Sequence, residues 1–201
     1  MATEAAARDQ LLERVVAFAA GEGIAGRSLR EIAAGVGTSH RMLLYHFGSR
    51  EGLLAAIVAT IEAQQRDVMA ALTAQGGGPR EVMLGLWEQL TRPELLPFVR
   101  LFFEVFGLLV QDTPGTRALR ESLTTPWVTE GLAGAGRLGV AADAAELRLG
   151  IAVTRGLLLE LVAGTPLDEV DAAYRRFVDL YDAAGGGARP GQSSDERRAR
   201  T

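Results

Sequence analysis

An all-α fold is predicted by three features of the sequence. Apolar residues recur at three- and four-residue intervals along most of the chain, no alternating run bounded by turn residues suggests a strand, and Gly and Pro cut the chain into helix-sized pieces. At 201 residues, 48% hydrophobic and 23% charged, the chain is long enough and apolar enough to bury a core, which excludes a disordered or peptide-like protein. No stretch reaches the roughly 18 uncharged apolar residues of a membrane span; the richest, residues 95–110, is broken by Pro97, Arg100 and Glu104. Glu4, Asp9 and Glu13 interrupt what a secretory signal would require, so a cytoplasmic chain with no membrane partner is expected.

The first helix carries Leu12, Val15, Val16 and Ala19 on one face and ends at Gly21 and Gly23. Ser28 precedes Leu29, Ile32 and Ala33, with Glu31 three residues on, which is the spacing of a capping box and sets the start of a second helix. Gly35 and Gly37 allow a sharp corner, and Thr38 or Ser39 caps a short third helix that ends near Tyr45 or His46. After Gly48, the stripe Leu53, Leu54, Ile57, Val58 and Ile61 predicts a long fourth helix that reaches residue 74 and stops at Gly76-Gly77-Gly78-Pro79. Further helices are expected over 79–91, 94–111, 116–136, 143–163 and 168–184, with Pro126 kinking or splitting the one that contains it. The segment beyond Gly185 has too little apolar content to order itself and is expected to be a mobile tail.

Residues 28–54 therefore read as a helix, a tight turn and a short second helix of a size that enters a DNA major groove. Leu29, Ile32 and Ala33 point inward from the first, and Leu43 and Phe47 plug the second against the core. That leaves His40, Arg41, Leu44 and Tyr45 facing outward. By chemistry, Arg41 suits bidentate contact with guanine, His40 a base edge or phosphate, and Leu44 a thymine methyl, whereas Tyr45, Arg27 and Arg50 suit phosphates. His46 beside Phe47 reads first as a packing residue and second as a contact. Residues 1–65 hold six arginines against seven acids, so binding must rest on placement rather than bulk charge.

The same stretch closely resembles the DNA-binding region of the TetR family of transcriptional repressors. The motifs are Ser28, Arg30, Glu31, Ile32 and Ala33; Gly37, Thr38 and Ser39; Leu43, Tyr45, His46 and Phe47; then Ser49, Arg50, Glu51 and Leu54. The resemblance covers about residues 10–60. It implies a helix-turn-helix DNA-binding domain over 1–52, with Thr38 and Ser39 also at the nucleic acid. A helical ligand-binding and dimerisation domain would follow over 53–184, and a disordered tail over 185–201. Where the family commonly has a phosphate-contacting tyrosine after Leu43, this chain has Leu44, which removes one hydrogen bond; Tyr45 is placed to compensate.

Four phenylalanines and two tryptophans gather between residues 83 and 127. Singly each fits an ordinary core, but together Met83, Trp87, Leu90, Phe98, Phe102, Phe103, Phe106 and Trp127 offer the wall of an apolar pocket. The resemblance implies a lipophilic or aromatic effector there, oriented by Glu88, Gln89, Arg100 or Glu104 if these face inward. Residues 143–163 are apolar on nearly every side, and Val170, Tyr174, Phe177, Val178 and Tyr181 form a stripe on the next helix, so the two predict a homodimer interface.

The expected function is a ligand-responsive repressor, dimeric on a palindromic double-stranded operator. A helical ligand-binding or protein-interaction dimer without specific DNA recognition is the alternative, suggested by Leu44 and the net charge of -4. Catalysis is not expected: there is no cysteine, both histidines lie in the corner motif, and no paired-carboxylate or phosphate-loop signature occurs. No cofactor is expected, and the six-residue spacing of His40 and His46 argues against zinc.

Overall fold

A computed structural model describes residues 2–24, 26–116 and 119–183, so the expected tail over 185–201 lies outside the described residues. These form nine helices and no strand: α1 (Ala2–Glu22), α2 (Leu29–Gly35), α3 (His40–Phe47), α4 (Arg50–Ala74), α5 (Pro79–Leu90), α6 (Leu96–Val110), α7 (Arg120–Leu138), α8 (Ala144–Ala163) and α9 (Leu167–Ala183). The chain packs as two compact units. Among the described residues, the first lies within 2–63 and 92–123 and the second within 64–91 and 124–183, so α4 contributes its first half to one and its second half to the other. This division by packing cuts the chain differently from one at residue 52.

In the first unit the core is built around fully buried Val15, Ile32, Leu43, Leu53, Leu54, Ile57 and Val105. Ile32, Leu43 and Leu53 come from three successive helices, so the corner motif is held by the same apolar mass that supports α1, α4 and α6. Both local caps form as the sequence requires. Ser28 Oγ accepts from the Glu31 backbone N–H at 3.3 Å while Glu31 Oε2 accepts from the Ser28 N–H at 2.7 Å, and Ser39 Oγ accepts from Met42 N–H at 3.1 Å. Between them Gly37 has φ +65°, a left-handed conformation that gives the corner its tight reversal.

A second close approach sits behind α3. Gly115, at φ +94°, brings the connection between α6 and α7 so near the start of α4 that a Cβ there would meet Gly52 N at 3.1 Å and Ser49 Oγ at 3.0 Å. Gly52 in turn has no room for a side chain, because a Cβ would lie 2.2 Å from the Phe47 carbonyl oxygen. The turn that aims α3 is thus gripped from both sides by backbone.

The second unit is organised by α9. Trp87 of α5, 1% exposed, stacks on Tyr174 with ring centroids 4.3 Å apart and 10° between planes, and its indole N–H donates to Asp171 Oδ1 at 3.1 Å. Arg80 ties α5 to α9 again through Asp179 at 2.7 Å and Asp182 at 3.1 Å. Asp143 caps α8 by accepting from the Ala145 and Glu146 N–H groups. Pro126 does not split its helix: α7 continues from Arg120 to Leu138, because a proline removes one backbone hydrogen bond while those of the flanking turns remain. That helix begins at Arg120 rather than near 116, since the backbone turns at Thr116 through bonds from Thr116 N to Thr113 O and from Leu119 N to Thr116 O.

Replacing Ser28 by Ala removes the side-chain half of the capping box and is expected to cost about 1 kcal/mol. Thermal unfolding followed by circular dichroism should show a Tm lowered by a few degrees, with Ser28→Thr close to the parent.

Candidate nucleic-acid interface

Helix α3 is eight residues long, too short to persist without tertiary support. Leu43, at 0% exposure, and Phe47, at 9%, supply that support on its inner side. The outer side is left bare: Arg41 is exposed, and Met42, Leu44 and Tyr45 are 41%, 39% and 65% exposed. His40 is half-buried at the N-terminal end. With four-residue spacing, His40 stands beside Leu44 and Arg41 beside Tyr45, giving two parallel rows along the helix. Arg41 makes no ion pair among the described residues, so its five N–H donors face solvent.

The remaining expected contacts have partners of their own. Thr38 N–H donates to Ala33 O at 2.9 Å and closes the corner; Ser39 uses its oxygen as the α3 cap and keeps its hydroxyl hydrogen to donate. His46 is half-buried with its ring edge-on to Tyr45, centroids 5.0 Å apart, and to Phe47 at 6.3 Å, a packing arrangement. Arg27 donates to the Glu22 carbonyl at 3.0 Å, lies 3.6 Å from the Glu22 carboxylate and sits over the Phe18 ring.

Arg50 is the most committed of them. Its Nε donates to the Arg27 carbonyl at 2.9 Å, and Nη1 and Nη2 both donate to Glu104 Oε1 at 3.1 and 3.2 Å. A phosphate would have to displace Glu104, so in this state Arg50 joins α4 to α6 and to the turn before α2. Tyr45 also has an intramolecular partner: its hydroxyl donates to the Glu4 carboxylate of α1. That hydrogen bond, reinforced by the negative charge of Glu4, holds the phenol pKa above its ordinary value. Neither the Tyr45–Glu4 nor the Arg50–Glu104 pairing is legible in the sequence, because each partner lies far along the chain and no local pattern couples them.

The expected ligand-binding residues fall in both units. In the first, Phe98 and Phe102 line a cavity of about 20 Å³ with Ile57, Val58, Ile61 and Glu62, room for about one water. Phe103 packs edge-on to Phe102 at 5.1 Å, and Phe106, 38% exposed, stacks on it at 5.9 Å. In the second, Trp87 is engaged with Tyr174 and Asp171, the Met83 carbonyl accepts from the Tyr174 hydroxyl at 3.4 Å, and Leu90 is half-buried. Trp127, also half-buried, has the Arg66 guanidinium 5.9 Å from its ring centroid. Of the polar candidates, Glu88 and Arg100 are exposed, Gln89 is half-buried and Glu104 is on Arg50. Among the described residues no group of His, Asp and Glu could hold a metal ion, and no helix is long and apolar enough to cross a membrane.

Glu4→Gln removes the charge that raises the Tyr45 pKa. In an ultraviolet titration of the three tyrosines, the variant should show one phenol ionising at lower pH than in the parent. The other two should be unmoved.

Residues 11–57 match the family described as bacterial regulatory proteins, tetR family. A curated relative, the HTH-type transcriptional repressor NicS of Pseudomonas putida, is 27% identical over 117 residues, and the aligned part spans 56% of this chain and about half, 55%, of that protein. Among solved structures, a TetR-family transcriptional regulator from Pectobacterium atrosepticum aligns with a TM-score of 0.70 at 19% identity, over 94% of this chain and 98% of that one. The multidrug binding protein EbrR complexed with imidazole aligns at 0.62 and 23% identity, over 86% and 93%. At these identities the structural likenesses speak to the fold. The sequence match falls on α2, α3 and their supports, the elements whose geometry was derived above. The N-terminal helix-turn-helix region, residues 11–57, thus matches the TetR family of bacterial regulatory proteins in sequence, and the chain as a whole shares the fold of TetR-family structures.

Proposed function

We propose that the protein is a ligand-responsive repressor that binds a palindromic operator as a homodimer and is released by a lipophilic or aromatic small molecule. The observation that carries the reading is α3: a short helix fixed by Leu43 and Phe47 that leaves Arg41, Leu44 and Tyr45 to solvent, with an unpaired guanidinium at the centre of the row. Stability does not call for such a face, whereas a major groove does. Arg41 reads guanine O6 and N7, Leu44 meets a thymine methyl, and His40 takes a neighbouring base edge or phosphate. Ser39, Thr38, Tyr45 and Arg27 hold the backbone, with His46 a secondary contact. Tyr45 reaches a phosphate by exchanging its Glu4 partner, and Arg50 does so by exchanging Glu104.

The dimer reading is supported by α8. Ala145, Leu149, Ala152, Gly156, Leu159 and Ala163 are all exposed and follow one another at spacings of four and three, an apolar seam of the kind that packs against a second helix. Leu149 is 59% exposed and Leu159 49%, and a Cβ on Gly156 would meet nothing within 4 Å. On α9 the expected stripe faces inward instead, with Val170, Tyr174 and Val178 buried within the protomer, and Leu180, 53% exposed, lies on the outer side. Two copies joined here would carry two recognition helices, as a palindrome demands. The relative's description as a repressor supports the sign of regulation, and aromatic side chains in each unit, Phe98 and Phe102 in the first and Trp127 in the second, support an apolar effector.

Selection of bound duplexes from a random pool by the purified protein should return an inverted repeat. Failure to enrich any sequence would favour a ligand-binding dimer without DNA recognition. Arg41→Ala should cost about 1–3 kcal/mol confined to one base position in each half-site; uniform weakening across sequences would make it a phosphate contact. Leu149→Arg combined with Leu159→Arg should convert a dimer into a folded monomer by light scattering, with operator affinity lost in parallel.

A further inference from the structure

We infer that the second unit contains a carboxylate-binding site built on Arg66, Gln65 and Trp127, and that the effector is an aromatic monocarboxylic acid rather than a neutral lipophile. This rests on the effector-responsive reading above and specifies its ligand. Gln65 is 5% exposed, and its Oε1 is shielded from solvent with no hydrogen-bond partner; Nη1 of the adjacent Arg66 is in the same condition. Folded proteins leave few buried polar atoms unsatisfied, and a guanidinium nitrogen is among the costliest to leave so. Two neighbouring ones on a single turn of α4 call for a partner that the described residues do not supply.

The surroundings say which partner. Arg66 has no carboxylate within ion-pair distance among the described residues; its contact is the face of Trp127 on α7. One turn earlier on α7, Thr124 accepts from Arg155 Nη1 of α8 at 3.1 Å, so the same side of that helix receives a second arginine. A planar guanidinium fork matches the two oxygens of a carboxylate. The unpartnered Gln65 Oε1 is an acceptor and suits a hydroxyl or N–H elsewhere on the ligand. The Trp127 ring suits a flat apolar body. A single unpaired cation balances a monoanion, whereas a phosphate dianion would leave charge uncompensated.

The test uses the full chain with 2-naphthoate and benzoate as probes and 2-naphthamide and benzamide as their neutral counterparts, binding being read by tryptophan fluorescence and calorimetry. The acids are expected to bind at least about tenfold more tightly than the amides. Arg66→Met should bring acid binding down to the level of the amides, and Arg66→Lys should retain part of the preference. The ligand-free Arg66→Met protein should melt at or above the parent temperature, because a shielded guanidinium nitrogen without a hydrogen-bond partner has been removed. Equal binding of acids and amides, no binding of either acid, or a lowered Tm in Arg66→Met with the acid preference intact would each overturn the inference. Acids that bind through Arg66 yet leave operator affinity unchanged would uphold the site and overturn the effector reading instead.

Discussion

The burial of Leu43 and Phe47 is the constraint on which the rest of the N-terminal unit depends. Helix α3 spans only eight residues, and two turns of helix in water are unstable because nucleation outweighs the few hydrogen bonds gained. Its orientation is therefore inherited from whatever those two side chains touch. Leu43 is fully buried in the cluster that also contains Val15, Ile32 and Leu54, so α1, α2 and α4 together determine where Arg41 and Tyr45 point.

Control of that orientation extends to α6. The Arg50–Glu104 pair and the backbone contact of Gly115 with Gly52 both bear on the first turn of α4, immediately after α3. Glu104 shares α6 with Phe98 and Phe102, whose side chains border the internal cavity. An apolar change at one end of α6 therefore has a polar and a steric route to the turn that aims α3. The guanidinium of Arg50 is a quarter exposed and the carboxylate of Glu104 a third, so solvent weakens the pair to about 1 kcal/mol. An interaction of that size is strong enough to bias an orientation and weak enough to be exchanged for a phosphate.

How much of this was legible in the sequence follows from the range of each interaction. Ser28, Glu31 and Ser39 declared their caps because those bonds close over three residues, and the inward sets Leu29/Ile32/Ala33 and Leu43/Phe47 followed from helical period alone. The outward faces of Arg41 and Leu44 came from the same period. The partners of Tyr45, Arg50 and Trp87 did not, being 41, 54 and 84 residues away, and no periodicity encodes which distant acid will arrive. The aromatic segment was ambiguous for a different reason. A tryptophan that stacks on Tyr174 and one that faces a guanidinium have the same apolar, helical signature, and only packing separates Trp87 from Trp127. The same limit hid Gln65 and Arg66, polar residues in a helix whose solvent face they would ordinarily occupy.

An acidic protein proposed to bind DNA must keep its own carboxylates from opposing the phosphates, and two acids beside the proposed contacts are held by pairing. Glu4 accepts from Tyr45 and Glu104 from Arg50, each spending its charge on a group that a phosphate would also seek. Exchange of one anionic partner for another costs less than desolvating a free tyrosine or arginine, because the donor is already oriented and partly stripped of water. The released carboxylate returns to solvent only if it can turn away from the duplex. Glu4 is on the exposed N-terminal turns of α1 and has that freedom, whereas Glu104 is half-buried on α6. In the proposed mode of binding Tyr45 is accordingly the easier of the two to recruit to a phosphate, and because Leu44 offers no hydrogen bond, Tyr45 supplies the phenol hydroxyl of α3.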